Sequence, residues 1–223
     1  LLTCITVIFM AFAVGSNLGA SVVVSRLFGA RDIGKMKSAV YTAFIACGLM
    51  SLILTVLGYV YCGSMMRLIH TPSNIFGDGE LYLKIYVFGL TFLFLYNVCT
   101  GIFTALGDSK TPLYFLIGSS IGNILLDYWF VAKFHWGVAG VAWATFIAQG
   151  ISAGLALVTL SLRLKGIKTS RRVVLFDLLL LSQIAAIAVP SIMQQSVLSV
   201  GNMFVQEIVN RYGSAVIAGY SGA

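Results

Sequence analysis

The chain has 223 residues, of which 59% are hydrophobic and only 9% charged. Soluble domains carry about 25% charged residues, so too few polar groups are present to coat a water-facing surface, and the chain reads as a membrane protein. Its net charge of +7 does not point to nucleic acid, because the basic residues fall in gaps between apolar runs rather than on one polar face beside a soluble core.

A membrane-spanning helix needs about 20 consecutive apolar residues. Six runs qualify, at 1–26, 38–63, 81–106, 112–132, 138–162 and 177–209, and a further run begins near 214. Runs this long exclude the alternating strands of about 10 residues that build a membrane barrel. The expected class is therefore an all-α polytopic bundle. The first run carries Asn17, Ser21 and Ser25 four apart, with Gly15 and Gly19 available for close helix approach. Gly29 is expected to end it as a C-terminal glycine. The third run is crowded with Tyr82, Tyr86, Phe88, Phe92, Phe94 and Tyr96, and holds Asn97, Thr100 and Thr104 on one face; Gly107 ends it. Thr111-Pro112 then opens the fourth run, with proline expected at the first helical position. That run reads SSIGNILLDYWF at 119–130 and aligns Ser119 and Ser120 with Asn123 and Asp127. The fifth run aligns Thr145, Gln149 and Ser152. The sixth contains Pro190, expected to kink it, and the longest polar stripe: Ser191, Gln195, Ser199, Asn202 and Gln206.

The gaps alternate between rich and poor in basic residues. Ten of the fourteen lysines and arginines, Arg26, Arg31, Lys35, Lys37, Lys110, Arg163, Lys165, Lys168, Arg171 and Arg172, fall on one side. Arg67, Lys84, Lys133 and Arg211 fall on the other. The positive-inside rule places the first set in the cytoplasm. The stretch 163–176 is the most charged and is the expected linker between two halves. The chain opens inside an apolar run, without an initiator Met or a signal peptide, and stops as another run begins, so it is expected to be a piece of a longer polypeptide. Cys4, Cys47, Cys62 and Cys99 all lie in apolar runs without a CxxC pair, and read as small hydrophobes.

Polar residues inside spans usually face a bundle interior or a water-filled cavity. Helix–helix hydrogen bonding is the competing explanation for any single stripe. Five stripes in six helices, the last with two large amides, favour a polar cavity lined by Asn17, Ser21, Gln149, Gln195, Ser199, Asn202 and Gln206. Asp127 is the costliest of these polar residues, since an unpaired charge in hydrocarbon is expensive. The alternative for it is a wetted position at the outer interface near Lys133, but six residues of separation put Lys133 on a poor face for pairing. HExxH and Walker motifs are missing and no nucleophile sits beside a base, so an enzyme is not expected. A secondary transporter, a channel and a structural bundle remain.

Four stretches resemble the multidrug and toxic compound extrusion (MATE) family: GSNLGASVVVSRLFGARDIGKMKSAV at 15–40, FTALGDSKTPLYFLIGSSIGNILLDYWF at 103–130, HWGVAGVAWATFIAQ at 135–149 and VPSIMQQSVLSVGNMFVQEIVNRYGSAVIAGYSGA at 189–223. The resemblance implies two six-helix lobes around a cavity that opens alternately to either side, in the cytoplasmic membrane. Residues 1–162 would be helices 2–6 of the first lobe, 163–176 the inter-lobe linker, and 177–223 helix 7 and the start of helix 8. It implies antiport, in which H⁺ or Na⁺ entry drives export of a small organic, cationic or amphipathic compound, with no cofactor and no nucleic-acid partner, by a protein monomeric at full length. By position, Asp127, Asn123 and Thr145 match the family's cation site; they offer the oxygen ligands that Na⁺, the one metal expected there, prefers. A lipid-linked oligosaccharide flippase of the same superfamily is the alternative, disfavoured because no span has Arg or Lys near its centre.

Overall fold

A computed structural model describes residues 2–68, 73–167, 169 and 173–211. It consists of six long helices: α1 (Leu2–Gly29), α2 (Ile33–Leu68), α3 (Ser73–Ala105), α4 (Lys110–Tyr128), α5 (Gly137–Gly166) and α6 (Leu178–Arg211). A π-helical turn, Trp129–Lys133, extends α4. Each carries a stretch of 24 to 32 residues long and apolar enough to cross a membrane, that of α4 running on through the π turn to Lys133, and among the described residues there is no strand. The six runs read from hydropathy are these six helices, and the protein is a multi-pass membrane protein.

α3 is the centre of the bundle, packed against α1, α2 and α5, while α4 leans on α5 and α6 lies along α1 with a smaller contact to α2. The core is where those helices meet. Phe94, Val98, Ile102 and Phe103 of α3 are buried against Ala20 and Val24 of α1 and Met36, Ala39 and Val40 of α2. By contrast Leu49, Leu52, Ile53, Val56 and Val60 form an exposed apolar stripe on α2. On a soluble monomer such a patch would demand a partner; on a spanning helix it is the face turned to lipid acyl chains. Cys47, Cys62 and Cys99 are free and buried, as small hydrophobes would be; the side chain of Cys4 lies outside the described residues.

The helix ends on the basic side are set by three aspartates. Asp32 accepts from the Lys35 backbone N–H (3.2 Å) at the start of α2. Asp177 accepts from Leu179 (2.8 Å) and Leu180 (3.3 Å) at the start of α6. Asp108 accepts from the Thr111 N–H (3.1 Å) and hydroxyl (2.7 Å) at the start of α4, and pairs with Arg163 at the end of α5. Two expectations are corrected here. Helix α4 starts at Lys110, so Pro112 is its third residue rather than its first, and Asp108, not Thr111, is the capping side chain. The left-handed residue after α1 is Arg31 (φ 57°), not Gly29. Asp32 N–H bonds Leu27 O and Arg31 N–H bonds Phe28 O, so the closing motif falls two residues beyond the glycine. After α3 the same motif has Gly107 at its left-handed position (φ 80°), as read from the sequence. Helix α6 runs through Pro190 without interruption.

The Asp108 carboxyl is held below the usual carboxylate range, first by the two Thr111 hydrogen bonds and then by Arg163. A carboxyl depressed in the folded state stabilises the protein above the ordinary carboxylate pKa and loses that contribution as pH falls through its folded value. Asp108→Asn keeps an oxygen to accept from the Thr111 N–H but loses the acceptor for the Thr111 hydroxyl and the ion pair with Arg163, so it is expected to lower stability at neutral pH by about 1 kcal/mol. The gap from wild type should close on acidification below about pH 4, in a thermal-melt series against pH.

The stretch between α5 and α6 returns to α2. Val174 N–H donates to Ser38 Oγ (2.9 Å), and Asp177 N–H donates to Thr42 Oγ1 (3.1 Å). Ser38 and Thr42 are both buried. Ser38→Ala with Thr42→Val removes both acceptors and is expected to cost about 1 kcal/mol per orphaned N–H. Faster proteolytic cleavage between α5 and α6 would report it, and cleavage at the wild-type rate would contradict the pinned strap.

Candidate functional site

The chain has seven acidic residues, and most have a visible structural task. Asp32, Asp108 and Asp177 cap helices, Glu80 pairs with Lys84 at 2.7 Å, and Asp78 is exposed. The side chain of Glu207 lies outside the described residues. That leaves Asp127, within the spanning segment Lys110–Lys133. It is half-buried, and its Oδ1 is occluded with no hydrogen-bond partner among the described residues. Lys133 is exposed and makes no ion pair with it among those residues.

Asp127 stands one helical turn after Asn123, which is what places the two on one face of α4. Across the α4–α5 contact, Asn123 Nδ2 donates to Thr145 Oγ1 at 3.5 Å, and the Thr145 hydroxyl donates to its own Val141 carbonyl at 3.0 Å. The first of these is at the long limit of a hydrogen bond. Both side chains therefore retain acceptor capacity: the Asn123 amide oxygen and the remaining lone pair of Thr145. Their oxygens and the Asp127 carboxylate are of the type a hard monovalent cation prefers, and the carboxyl alone is of the type that takes a proton. Immediately beyond Asp127 the backbone changes to the π turn, with Phe134 N–H bonded to Trp129 O (3.2 Å) and Trp136 N–H to Phe130 O (3.1 Å). Such turns are frequent at functional sites because the extra residue per turn re-aims what precedes and follows them. Hydropathy carries no signal for it; the Phe130, Phe134 and Trp136 rings packed over it (5.1–6.3 Å between centroids) are legible in the sequence only as an aromatic cluster.

The remaining candidates are distributed over the bundle rather than gathered around Asp127. Asn17 is pressed against Gly101 in the α1–α3 seam: a Cβ at Gly101 would lie 3.1 Å from the Asn17 carbonyl. It therefore contributes to the close packing of α1 on α3. Ser21, one turn on, is half-buried. Gln149 faces α3, where its Oε1 would be 3.3 Å from a Cβ at Gly89. Together with Thr145 it lines a small pocket with Tyr82, Tyr86, Gly89 and Phe146. Sequence reasoning missed this association, although Tyr82 and Tyr86 at i, i+4 with Gly89 one turn further gave the signal. In α6 the Ser191 and Ser199 hydroxyls donate to the carbonyls one turn back, at 2.8 and 2.7 Å. Gln195 is half-buried between them. The side chains of Asn202 and Gln206 lie outside the described residues. Because α6 packs on α1 and α2 whereas α4 packs on α5, the α6 stripe and the Asp127 site belong to opposite sides of the bundle.

The MatE family model matches residues 1–129. The chain is 31% identical over 220 residues to a probable multidrug resistance protein, YoeA, of Bacillus subtilis, covering 96% of this chain and 48% of that protein. Among solved structures, a MATE protein crystallised in a bent conformation superposes with a TM-score of 0.83 at 22% identity, covering 97% of this chain and 49% of that one. A MOP superfamily transporter from Pyrococcus furiosus, whose binding pocket is described as of reverse polarity, superposes with a TM-score of 0.85 at 21% identity, covering 97% and 48%. At these identities the structural likeness shows the fold alone, over about half of each solved chain. The chain spans about half the length of the curated relatives it matches.

Proposed function

The chain belongs to the MatE family of membrane transporters, and from that premise we propose that it forms the ion-coupling half of an antiporter that exports small organic, cationic or amphipathic compounds from the cell. The observation that carries this reading is the Asp127 carboxylate, with an occluded and unpartnered oxygen inside a membrane span. An intramembrane ionisable residue without a structural partner is costly and marks a pathway for ions or protons. A proton or Na⁺ arriving at Asp127, with Asn123 and Thr145 as further oxygen donors, removes that cost.

Transport follows if the ion binds one of two global states more tightly than the other, since only differential affinity moves the equilibrium. Ion binding on the outward-open side would weaken the hold on the organic substrate there, and ion release to the cytoplasm would reset the cycle. Polar faces such as Ser21 and the Gln195–Ser199 stretch of α6 are proposed to meet the substrate between the lobes of the full-length protein.

The test is reconstitution of the full-length protein in proteoliposomes loaded with a fluorescent organic cation. A pH gradient and a Na⁺ gradient are imposed separately. Transport driven by one of them is expected, and its identity names the coupling ion. Transport indifferent to both gradients would overturn the reading.

A further inference from the structure

An intramembrane ion pair stands apart from the Asp127 site, at the opposite end of α2 from the basic loops. We propose that the α2–α3 groove there is a binding site for the phosphate headgroup of a phospholipid in the leaflet opposite the basic face. The groove is a cavity of about 350 Å³ lined by Tyr59, Gly63, Ser64, Arg67, Glu80 and Lys84. The Lys84 ammonium is 2.7 Å from the Glu80 carboxylate and 5.7 Å from the centroid of the Tyr59 ring. The Glu80 backbone is tied in turn to α2, whose Cys62 thiol donates to the Glu80 carbonyl at 3.8 Å. Lys84 belongs to the spanning segment Phe76–Ala105, as the apolar run 81–106 implies.

The charge balance decides the sign of the ligand. Glu80 is neutralised by Lys84, whereas Arg67 has no carboxylate within ion-pair distance among the described residues. The groove therefore keeps one uncompensated guanidinium, and an anion suits it. Arginine and lysine together recognise phosphate well, the guanidinium through two parallel N–H donors and the ammonium as a point charge.

Depth decides the source of the phosphate. Arg67 lies four residues past the apolar run that ends at 63. Lys84 is the fourth residue of the apolar run that begins at 81, about 5 Å into it at 1.5 Å per residue. The groove thus runs from headgroup level into the acyl region. Its flank includes Val60, which belongs to the exposed apolar stripe of α2. A free phosphate has nothing to place against that flank, while a lipid fills both zones at once.

The experiment is native mass spectrometry of the purified full-length protein, titrated with phosphatidylglycerol, with diacylglycerol and with inorganic phosphate. Saturable phosphatidylglycerol binding is expected, without matching diacylglycerol binding and with phosphate competing only at far higher concentration. Arg67→Gln should weaken phosphatidylglycerol about fivefold, the size expected for one basic residue at a membrane surface, and Lys84→Gln at least as much. Arg67 is exposed and outside any ion pair among the described residues, so its variant should fold; if Lys84→Gln unfolds through the orphaned Glu80, Arg67→Gln still decides. Equal retention of diacylglycerol, unchanged affinity in Arg67→Gln, or phosphate bound as tightly as lipid would each overturn the proposal. The coupling reading of Asp127 is unaffected by any of these outcomes.

Discussion

Asp127→Asn in the full-length protein should sharply reduce gradient-driven export while leaving the protein folded and inserted. The amide has the shape of the carboxylate, so packing on α4 is preserved. It cannot carry a proton at neutral pH and is a poorer cation ligand. Coupling between two sites is typically worth a factor of about 5–150, and a loss of export in that range is expected. Stability should not fall, because the substitution removes a charge whose Oδ1 has no hydrogen-bond partner among the described residues. Asp78→Asn, at an exposed position on α3, is the matched control and should transport normally. Export by Asp127→Asn at the wild-type rate under the driving gradient would remove this residue from the mechanism.

Gly19→Val should be among the most destabilising single changes in the bundle. A Cβ at Gly19 would lie 2.7 Å from the Ile184 carbonyl oxygen and 3.1 Å from the Ala188 nitrogen. Both are backbone atoms, so no rotamer change can make room and α1 must move away from α6. At Gly15 the same Cβ would meet the Ile192 nitrogen at 2.8 Å. Small residues at this spacing let membrane helices approach until their backbones touch. Overpacking of this kind costs about 1–3 kcal/mol. Gly15→Ala and Gly19→Ala together should not simply add, since both act by spreading one seam. Gly118 and Gly154 provide the contrast. Nothing lies within 4 Å of a Cβ at either, and alanine there should be neutral or stabilising by up to about 1 kcal/mol through helix propensity. A thermal melt in detergent separates the two classes, and equal melting of Gly19→Val and wild type would contradict the tight seam.

Much of the site is legible in the amino-acid sequence. Asp127 is conspicuous because charge is scarce in the spans, and Asn123 follows from helical periodicity alone. Thr145 comes from the family resemblance, and its 3.5 Å contact with Asn123 brings the two together. The role of Asn17 is not legible. A polar residue at helical spacing looks the same whether it faces a cavity or the bare backbone of a neighbouring glycine, and only the α1–α3 packing shows Gly101 beside it. The π turn after Asp127 has no composition signal, because it is a change of hydrogen-bond register in a sequence that would serve equally well as α-helix.

The six spans, the membrane setting, the glycine stop at Gly107 and the anomaly of Asp127 are local properties. A helix in lipid satisfies its backbone within itself, so its existence and limits depend on its own residues and can be read from them. Which helix touches which is not local. Hydropathy along α6 says that it spans; it does not say that it lies against Gly15 and Gly19 of α1, nor that Ser38 and Thr42 hold the strap leading into it. Lipid tails and apolar helix faces are nearly equivalent surroundings for a leucine, so hydrophobicity cannot choose between them. Close packing at small residues and a few hydrogen bonds between segments make that choice, and only the tertiary structure reveals it.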